Sequence, residues 1–393
     1  MKIASKYPVV SLKKVAEKVD YGFTASATDV GDGPKFLRIT DIQDDRVEWS
    51  TVPRCEPDNR IKDKYALAKG DIVFARTGAT TGKSYLIKDC PEKSIFASYL
   101  IRVRPSEDVD PNYLSRFFQT PTYWRQVSLN TSGTAQGGVN ATKLKALQVP
   151  LPLIAEQRRI AAILDKADGI RRDRKQAIQY TEDLLRSAFL DMFGDPVTNP
   201  KGWDKAAISD FGTVLTGNTP PRSESENYGN EIEWIKSDNI TTPEHFLTEA
   251  EEKLSKEGQE KARTVPSGSV LVTCIAGSRS SIGRAAISDR KVSFNQQINA
   301  VIPNSSTNSY FLYSHFLIAQ HLVQDKSTNS MKGMVNKSKF SSIQFIKPPV
   351  EKQEQFGEWF LRFYEYYKKL LIGEEAADNL FNSLLQRAFK GDL

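Results

Sequence analysis

The stretch Gly78-Ala79-Thr80-Thr81-Gly82-Lys83-Ser84 carries the residue types that cradle a nucleotide phosphate, and it follows a short apolar run ending at Ala75. A phosphate-binding loop spaces its glycines wider than the three residues found here, so that successive N–H groups wrap the anion, and it opens a helix at the Lys-Ser. Tyr85-Leu86-Ile87 instead reads as a strand. A second stretch, Gly277-Ser278-Arg279-Ser280-Ser281-Ile282-Gly283-Arg284, keeps the glycines and a basic residue without the Gly-Lys-Ser. What the two share is a glycine-flexed, hydroxyl-rich, basic hairpin, and nucleotide binding is not expected at either. Other chemistries are no better supported. The three histidines, His245, His315 and His321, all lie in the second half, and Cys55, Cys90 and Cys274 form no Cys-x-x-Cys pair. No glycine-rich cofactor loop follows a strand, and Asn218-Thr-Pro-Pro is not the Pro-Pro-aromatic tetrapeptide of amino-methyltransferases. Neither a metal site nor catalysis is expected of this chain.

The chain has 393 residues, 39% of them hydrophobic and 10% aromatic, enough for more than one core. It shows no signal-peptide run and no apolar segment of membrane-spanning length, and its few scattered cysteines suit a reduced, cytoplasmic setting. A net charge of +6 suits a polyanionic partner, although many ordinary enzymes are as basic.

The elements that would position any site come in two copies. Lys35-Phe36-Leu37-Arg38 and Asp41-Ile42 correspond to Glu233-Trp234-Ile235-Lys236 and Asn239-Ile240, 198 residues on. Gly70 to Ala75 corresponds to Gly268 to Thr273, and Phe96 to Phe294, at the same shift. Val139-Asn140 and Lys143-Leu144 align with Val335-Asn336 and Lys339-Phe340 at 196, and Leu184-Leu185 with Leu384-Leu385 at 200. Ordered anchors at nearly constant shift mean a duplicated unit, far longer than a solenoid repeat.

Each copy divides into a mixed head and a helical tail. Asp71-Ile-Val-Phe-Ala and Ser269-Val-Leu-Val-Thr read as buried strands, Leu100-Ile-Arg-Val-Arg as a half-exposed one, and the segments from Tyr113 and from Tyr310 as helices. Val149-Pro150-Leu151-Pro152 and Lys347-Pro348-Pro349-Val350 predict helices beginning just beyond. In the first tail Ile160, Ile163, Ala167, Ile170, Arg174, Ala177, Thr181, Leu184 and Ala188 alternate steps of three and four; in the second Phe356, Trp359, Phe363, Tyr366, Leu370, Gly373, Ala377, Leu380 and Leu384 do the same. That spacing predicts two long helices packed as a coiled coil, the alternative being two amphipathic helices each lying on its own head. The expected fold is α+β and pseudo-symmetric: heads at 1–148 and 197–345, helices at 149–196 and 346–393.

At the junctions, Gly138-Val139-Asn140-x-x-Lys143-Leu144, then Val149-Pro150-Leu151-Pro152-Leu153 and Glu156-Gln157-x-x-Ile160, resemble the first conserved region of the specificity subunits of Type I restriction-modification systems. Gly333 to Asn336, Pro348-Pro349-Val350 and Gln353-x-x-Phe356 resemble the second, with Lys352 where the Glu would stand. The resemblance spans essentially the whole chain. It implies two target-recognition domains separated by two long antiparallel coiled-coil helices, and a subunit that neither methylates nor cuts. It further implies double-stranded DNA, two methyltransferase subunits and two restriction subunits as partners, with S-adenosylmethionine, ATP and Mg confined to those partners and no membrane. From Glu156 to Asp195 eight basic residues balance eight acidic ones, which suits a protein partner or a solvated face better than a phosphate backbone.

DNA contact is then expected from the heads. The candidates are Arg38, Arg76, Thr77, Lys83 and Ser84 in the first and Lys236, Asn239, Arg279, Ser280 and Arg284 in the second. The loops Ser132 to Asn140 and Ser330 to Asn336, with Gly137, Asn140, Gly333 and Asn336, are candidates to grip phosphate through backbone N–H groups. The hairpins have diverged between the heads, so a bipartite, non-palindromic target is expected. A stand-alone duplicated nucleic-acid-binding regulator is the alternative, and an enzyme with an unrecognised site the third.

Overall fold

A computed structural model describes residues 3–43, 45–90, 93–131, 138–240, 244–328 and 333–393. By contacts the chain forms two units, Met1–Arg174 with Glu374–Leu393, and Lys175–Gly373. Among the described residues no helix is long and apolar enough to cross a membrane.

In the first unit an antiparallel sheet is ordered Ala16–Tyr21, Leu100–Pro105, Ile72–Ala75, Ser84–Leu86. Ile72–Ala75 is buried at every position, as its unbroken apolar run requires of an inner strand. Beside it Lys35–Leu37 pairs in parallel with Ser94–Phe96. Val9–Ser11 pairs antiparallel with Gln148–Pro150, which ties the entry of the head to its exit. The second unit repeats the plan: Gly212–Thr216, Ile298–Pro303, Val270–Thr273 and Ala285–Ile287 form the sheet. Tyr228–Ile235 pairs in parallel with Val292–Phe294, and Lys205–Ala207 pairs with Gln344–Ile346. The duplication read in the sequence is thus a duplication of strand order and pairing. The boundaries drawn at 148/149 and 345/346 fall inside the closing strands Gln148–Pro150 and Gln344–Ile346.

One strand departs from its pattern. Arg102, expected on a half-exposed strand, is fully buried. Its guanidinium meets Asp20 on one neighbouring strand at 2.8 Å and Asp71, just before the other, at 3.6 Å, so paired carboxylates permit a charge where alternation alone puts it in solvent.

The long helices run Ile154–Phe193 and Val350–Lys390. A buried glutamine locks the start of each to its head. Gln157 accepts the Asp110 N–H at 2.9 Å and donates to the Pro152 carbonyl at 2.9 Å. Gln353 accepts the Asn308 N–H at 3.1 Å and donates to the Pro348 carbonyl at 2.8 Å. In the first unit Ile160, Leu164 and Ala167 share one core with the head and with Phe381, Leu385 and Phe389. In the second, Ile178, Leu185, Phe189 and Phe193 share one with Phe356, Phe360, Phe363 and Tyr367. In each unit the helix lies on its head and against an antiparallel partner segment, so the coiled-coil reading and its alternative both hold locally.

The heptad seam needs correction. Ile160, Ala167, Phe356 and Phe363 are buried, but Ile170, Leu184, Tyr366 and Leu380 are 43%, 53%, 59% and 51% exposed, and Ile163, Trp359 and Leu384 are half-buried. Thr181, Leu370 and Ala377 of the predicted spacing are buried as well, and so, beside it, are Leu164, Ile178, Leu185, Phe360, Tyr367, Phe381 and Leu385. A straight helix of 3.6 residues per turn drifts ~20° per heptad from a 3.5-residue repeat, so over several heptads the buried face moves by about one residue.

Candidate nucleic-acid interface

The antiparallel order of each sheet brings a particular set of loops to one edge. In the first head the pairings Tyr21 with Ile101, Ala75 with Leu100 and Phe74 with Ser84 place the chain after Tyr21, the turn before Leu100 and the whole 76–83 hairpin together. The parallel pair adds Arg38, because the Ala97 N–H donates to the Leu37 carbonyl at 2.9 Å. The start of the junction joins too, since the Val139 N–H donates to the Arg76 carbonyl at 3.0 Å. The second head gathers the equivalent pieces. Asn295 N–H reaches the Ile235 carbonyl at 3.0 Å and Val335 N–H the Cys274 carbonyl at 2.9 Å, while Ile275–Ala276 pairs with Gly333–Met334.

The hairpins are not phosphate loops. Gly78 and Gly82 both have φ of +83°, a conformation glycine adopts without strain. The N–H groups of Thr81, Gly82 and Lys83 are spent inside the turn, on the carbonyls of Gly78, Ala75 and Thr80. Ser84 opens a strand, where a nucleotide loop would open a helix. In the second head the Gly283 N–H returns to Thr273 in the same way, around a longer loop.

The candidate residues separate by what already holds them. Arg38 makes a two-pronged pair with Asp41, at 2.7 and 3.1 Å, and that hydrogen bonding raises its pKa further. Lys236 is 2.6 Å from Glu252, and Arg279 is 2.8 Å from Asp325. Asn239 is buried and accepts the Lys236 N–H, so it shapes a turn where the sequence suggested a reader. Asn140 and Asn336 cap the short helices Ala141–Ala146 and Lys337–Ser341, accepting from Lys143 N and Lys339 N at 2.8 and 2.9 Å. Their side chains are helix caps, and the Val139 and Val335 N–H groups expected to grip phosphate are already bonded. Gly333 lies in a strand, with Ile282 and Ser327 where a Cβ would stand. Gly137 and residues 132–137 and 329–332 lie outside the described residues.

Arg76, Thr77 and Lys83 are exposed at the edge, Arg284 and Ser84 are half-buried there, and the exposed Ser280 shares its hydroxyl with Ser278 at 3.0 Å. Among the described residues Arg76, Lys83 and Arg284 meet no carboxylate. Arg76 lies over the Tyr21 ring at 5.1 Å.

Sequence reasoning missed the aromatic and amide side chains between these loops. Tyr99 is 65% exposed just before its strand, and its counterpart in the second head is Gln297 beside the exposed Gln296, which Thr219 holds through its hydroxyl. An exposed tyrosine abutting a predicted strand was the available signal. The edge gathers cationic, amide and aromatic side chains on loops held by sheet hydrogen bonds, an array suited to binding a polyanion and contacting bases.

A family model described as the Type I restriction modification DNA specificity domain matches residues 9–180 and again 200–371. The putative MjaX specificity subunit of Methanocaldococcus jannaschii is 21% identical over 383 residues, 91% of this chain and 86% of that protein. The StySPI specificity subunit of Salmonella potsdam is 21% identical over 388 residues, 91% and 82% of the two chains. The HindI specificity subunit of Haemophilus influenzae is 28% identical over 199 residues, 49% of this chain and 42% of that one, so the match spans less than half of that relative. Among solved structures, the S subunit of a Type I restriction-modification system from M. genitalium superposes with a TM-score of 0.61 at 12% identity, covering 99% and 98% of the chains. A chain solved in work on complex assembly of the type I R-M system gives 0.55 at 18%, covering 100% of both. These two likenesses concern the fold.

Proposed function

The chain belongs to the family of Type I restriction-modification DNA specificity domains, of which it carries two copies, and from that premise we propose that it reads an asymmetric bipartite DNA sequence for a methyltransferase complex. The observation that carries this reading is the pair of equivalent sheet edges, alike in backbone hydrogen bonding and different in the side chains they present. Residues 1–148 and 197–345 serve as the two target-recognition domains, and 149–196 and 346–393 as the helices between them.

The long helices are the docking surface for two methyltransferase subunits. In support, Ile170, Tyr180 and Leu184 on the first, and Leu361, Tyr366, Ile372 and Leu380 on the second, are large apolar side chains left exposed. Two restriction subunits join through that assembly. S-adenosylmethionine, ATP and Mg act in the partners, and this chain contributes binding and orientation without a chemical step.

The test is to express the chain with and without its methyltransferase subunits in a host free of adenine and cytosine methylation. Sequence-specific methylation is expected only when both are present, with the chain co-purifying with the methyltransferase. Methylation or cleavage by the chain alone would overturn the non-catalytic assignment.

A further inference from the structure

An arginine that reads a base edge must hold its fork of donors in a fixed plane, whereas one that only neutralises phosphate need not. Arg38, Lys236 and Arg279 are each committed to a carboxylate, and binding DNA through them would first break an ion pair. Lys83 and Arg284 meet neither a carboxylate nor a ring among the described residues. Lys236 also lies over a ring, that of Trp234 at 5.4 Å, but Glu252 holds its charge, whereas Arg76 is braced on a ring and meets no carboxylate among the described residues. Its guanidinium lies over the face of Tyr21, and the Tyr21 hydroxyl is itself fixed by accepting the Ala141 N–H at 3.1 Å. Its backbone is held on both sides, the N–H by the Tyr99 carbonyl and the carbonyl by the Val139 N–H, each at 3.0 Å. Yet the residue is exposed, at the edge where the loops gather.

We infer that Arg76, braced on Tyr21, is a base-reading residue of the first head and selects a guanine in the half-site that head reads. The inference rests on the DNA-reading assignment above and names the chemistry of one of its positions. Stacking on the ring face leaves the edge of the guanidinium and its donors free. Guanine presents two adjacent acceptors, O6 and N7, in the major groove, which a planar fork meets with two hydrogen bonds. Adenine places a donor where O6 stood, so one bond becomes a donor facing a donor. Because the side chain and its loop are already ordered, little freedom is lost on binding.

The second head lacks this device on the same frame. Cys274 stands at the equivalent position, with its N–H on the Gln297 carbonyl and its carbonyl on the Val335 N–H, as Arg76 is bonded to Tyr99 and Val139. Its thiol is buried and pushed up to about 12 by that burial. By strand pairing the counterpart of Tyr21 is Thr216, whose partner Asn299 corresponds to Ile101. Arg222 of the second head also lies over rings, those of Tyr228 and Trp234 at 4.7 and 5.1 Å, but it is committed to Glu252, so guanine selection by an arginine braced at this frame position belongs to one half-site.

The experiment is competitive binding by the full chain in complex with its methyltransferase subunits, on DNA in which each base pair of the recognised site is replaced in turn. Arg76→Ala and Arg76→Lys are expected to lower discrimination about 10- to 100-fold at one G·C position of one half-site, leaving every other position unchanged. Tyr21→Leu is expected to weaken the same position less. Arg76→Lys keeps the charge, so a phosphate contact would survive it. A complex whose discrimination is unaltered at every position, with or without a uniform loss of affinity, overturns the inference. So does loss of all binding by Arg76→Lys in a complex that melts like the wild type. A wild-type complex with no sequence preference would instead sink the DNA-reading assignment itself.

Discussion

Gln157 and Gln353 occupy equivalent buried positions and make equivalent bonds, one to a head N–H and one to the carbonyl before the helix. Replacing either with Leu leaves a buried donor and acceptor unmatched, at about 1–3 kcal/mol each. Each variant is therefore expected to lose about 2–6 kcal/mol in urea unfolding, and similar losses in the two units would mark them as one device used twice. Both glutamines are legible in the sequence, although nothing there sets Gln157 above the neighbouring Glu156. Glu156 pairs with Tyr7 and Arg159 near the surface, and Lys352 at its counterpart is exposed, which accounts for the exchange. Charge is likewise only half legible. Arg38, Lys236 and Arg279 could be found as cations, but Glu252 and Asp325, which neutralise two of them, arrive from elsewhere along the chain. Two buried histidines in the second unit give an acid response. Burial lowers His245 to about 4 and His315 to about 3, and His245 Nε2 and His315 Nδ1 have no hydrogen-bond partner among the described residues. The groups around His245 are the phenols of Tyr313, Tyr364 and Tyr367, with Glu182 bonded to the last. With folded pKa values below the unfolded ~6.5, their contribution is complete above that pH and is lost as pH falls toward 4 and 3. Stability is expected to fall by up to about 1.4 kcal/mol per pH unit per histidine between pH 6 and 5. The variant combining His245→Asn and His315→Gln should flatten that slope; an unchanged slope would place the response elsewhere.

At the scale of elements, the proline-marked junctions made the helix starts legible, and the apolar spacing revealed the long helices. The face they bury is only partly legible, because helices that follow 3.6 residues per turn drift from a strict heptad. Leu184 and Leu185 discriminate the two readings directly, the first 53% exposed and the second fully buried in the core of the second unit. Leu185→Ala is expected to cost about 2–5 kcal/mol by removing packed methyl groups, whereas Leu184→Ala should stay within about 0.5 kcal/mol. Chemical denaturation of the two single variants measures this, and a reversed order would restore the heptad seam. Head strands were easier to find where both faces are buried, as at Ile72–Ala75 and Val270–Thr273. The strand at Leu100–Pro105 is legible too, but not its burial, because Arg102 is buried by Asp20 and Asp71 and no local pattern announces that.

For the whole molecule, duplication was the most legible property, since it is written in ordered anchors whose spacing does not depend on any one residue. What the sequence could not separate is frame from reader. Arg76 and Cys274 share a backbone setting, as do Tyr99 and Gln297, and only the structure distinguishes the retained hydrogen bonds from the exchanged side chains. Equal frames with unequal readers are the basis for expecting two different half-sites in one target. The most direct measurement exchanges residues 12–147 for those of another family member, leaving Val9–Ser11 to pair with Gln148–Pro150, and maps the sequence methylated by the assembled enzyme. One half-site should change and the other remain as in the parent. Change in both half-sites, or a single uninterrupted target in either enzyme, would contradict a chain built from two independent readers.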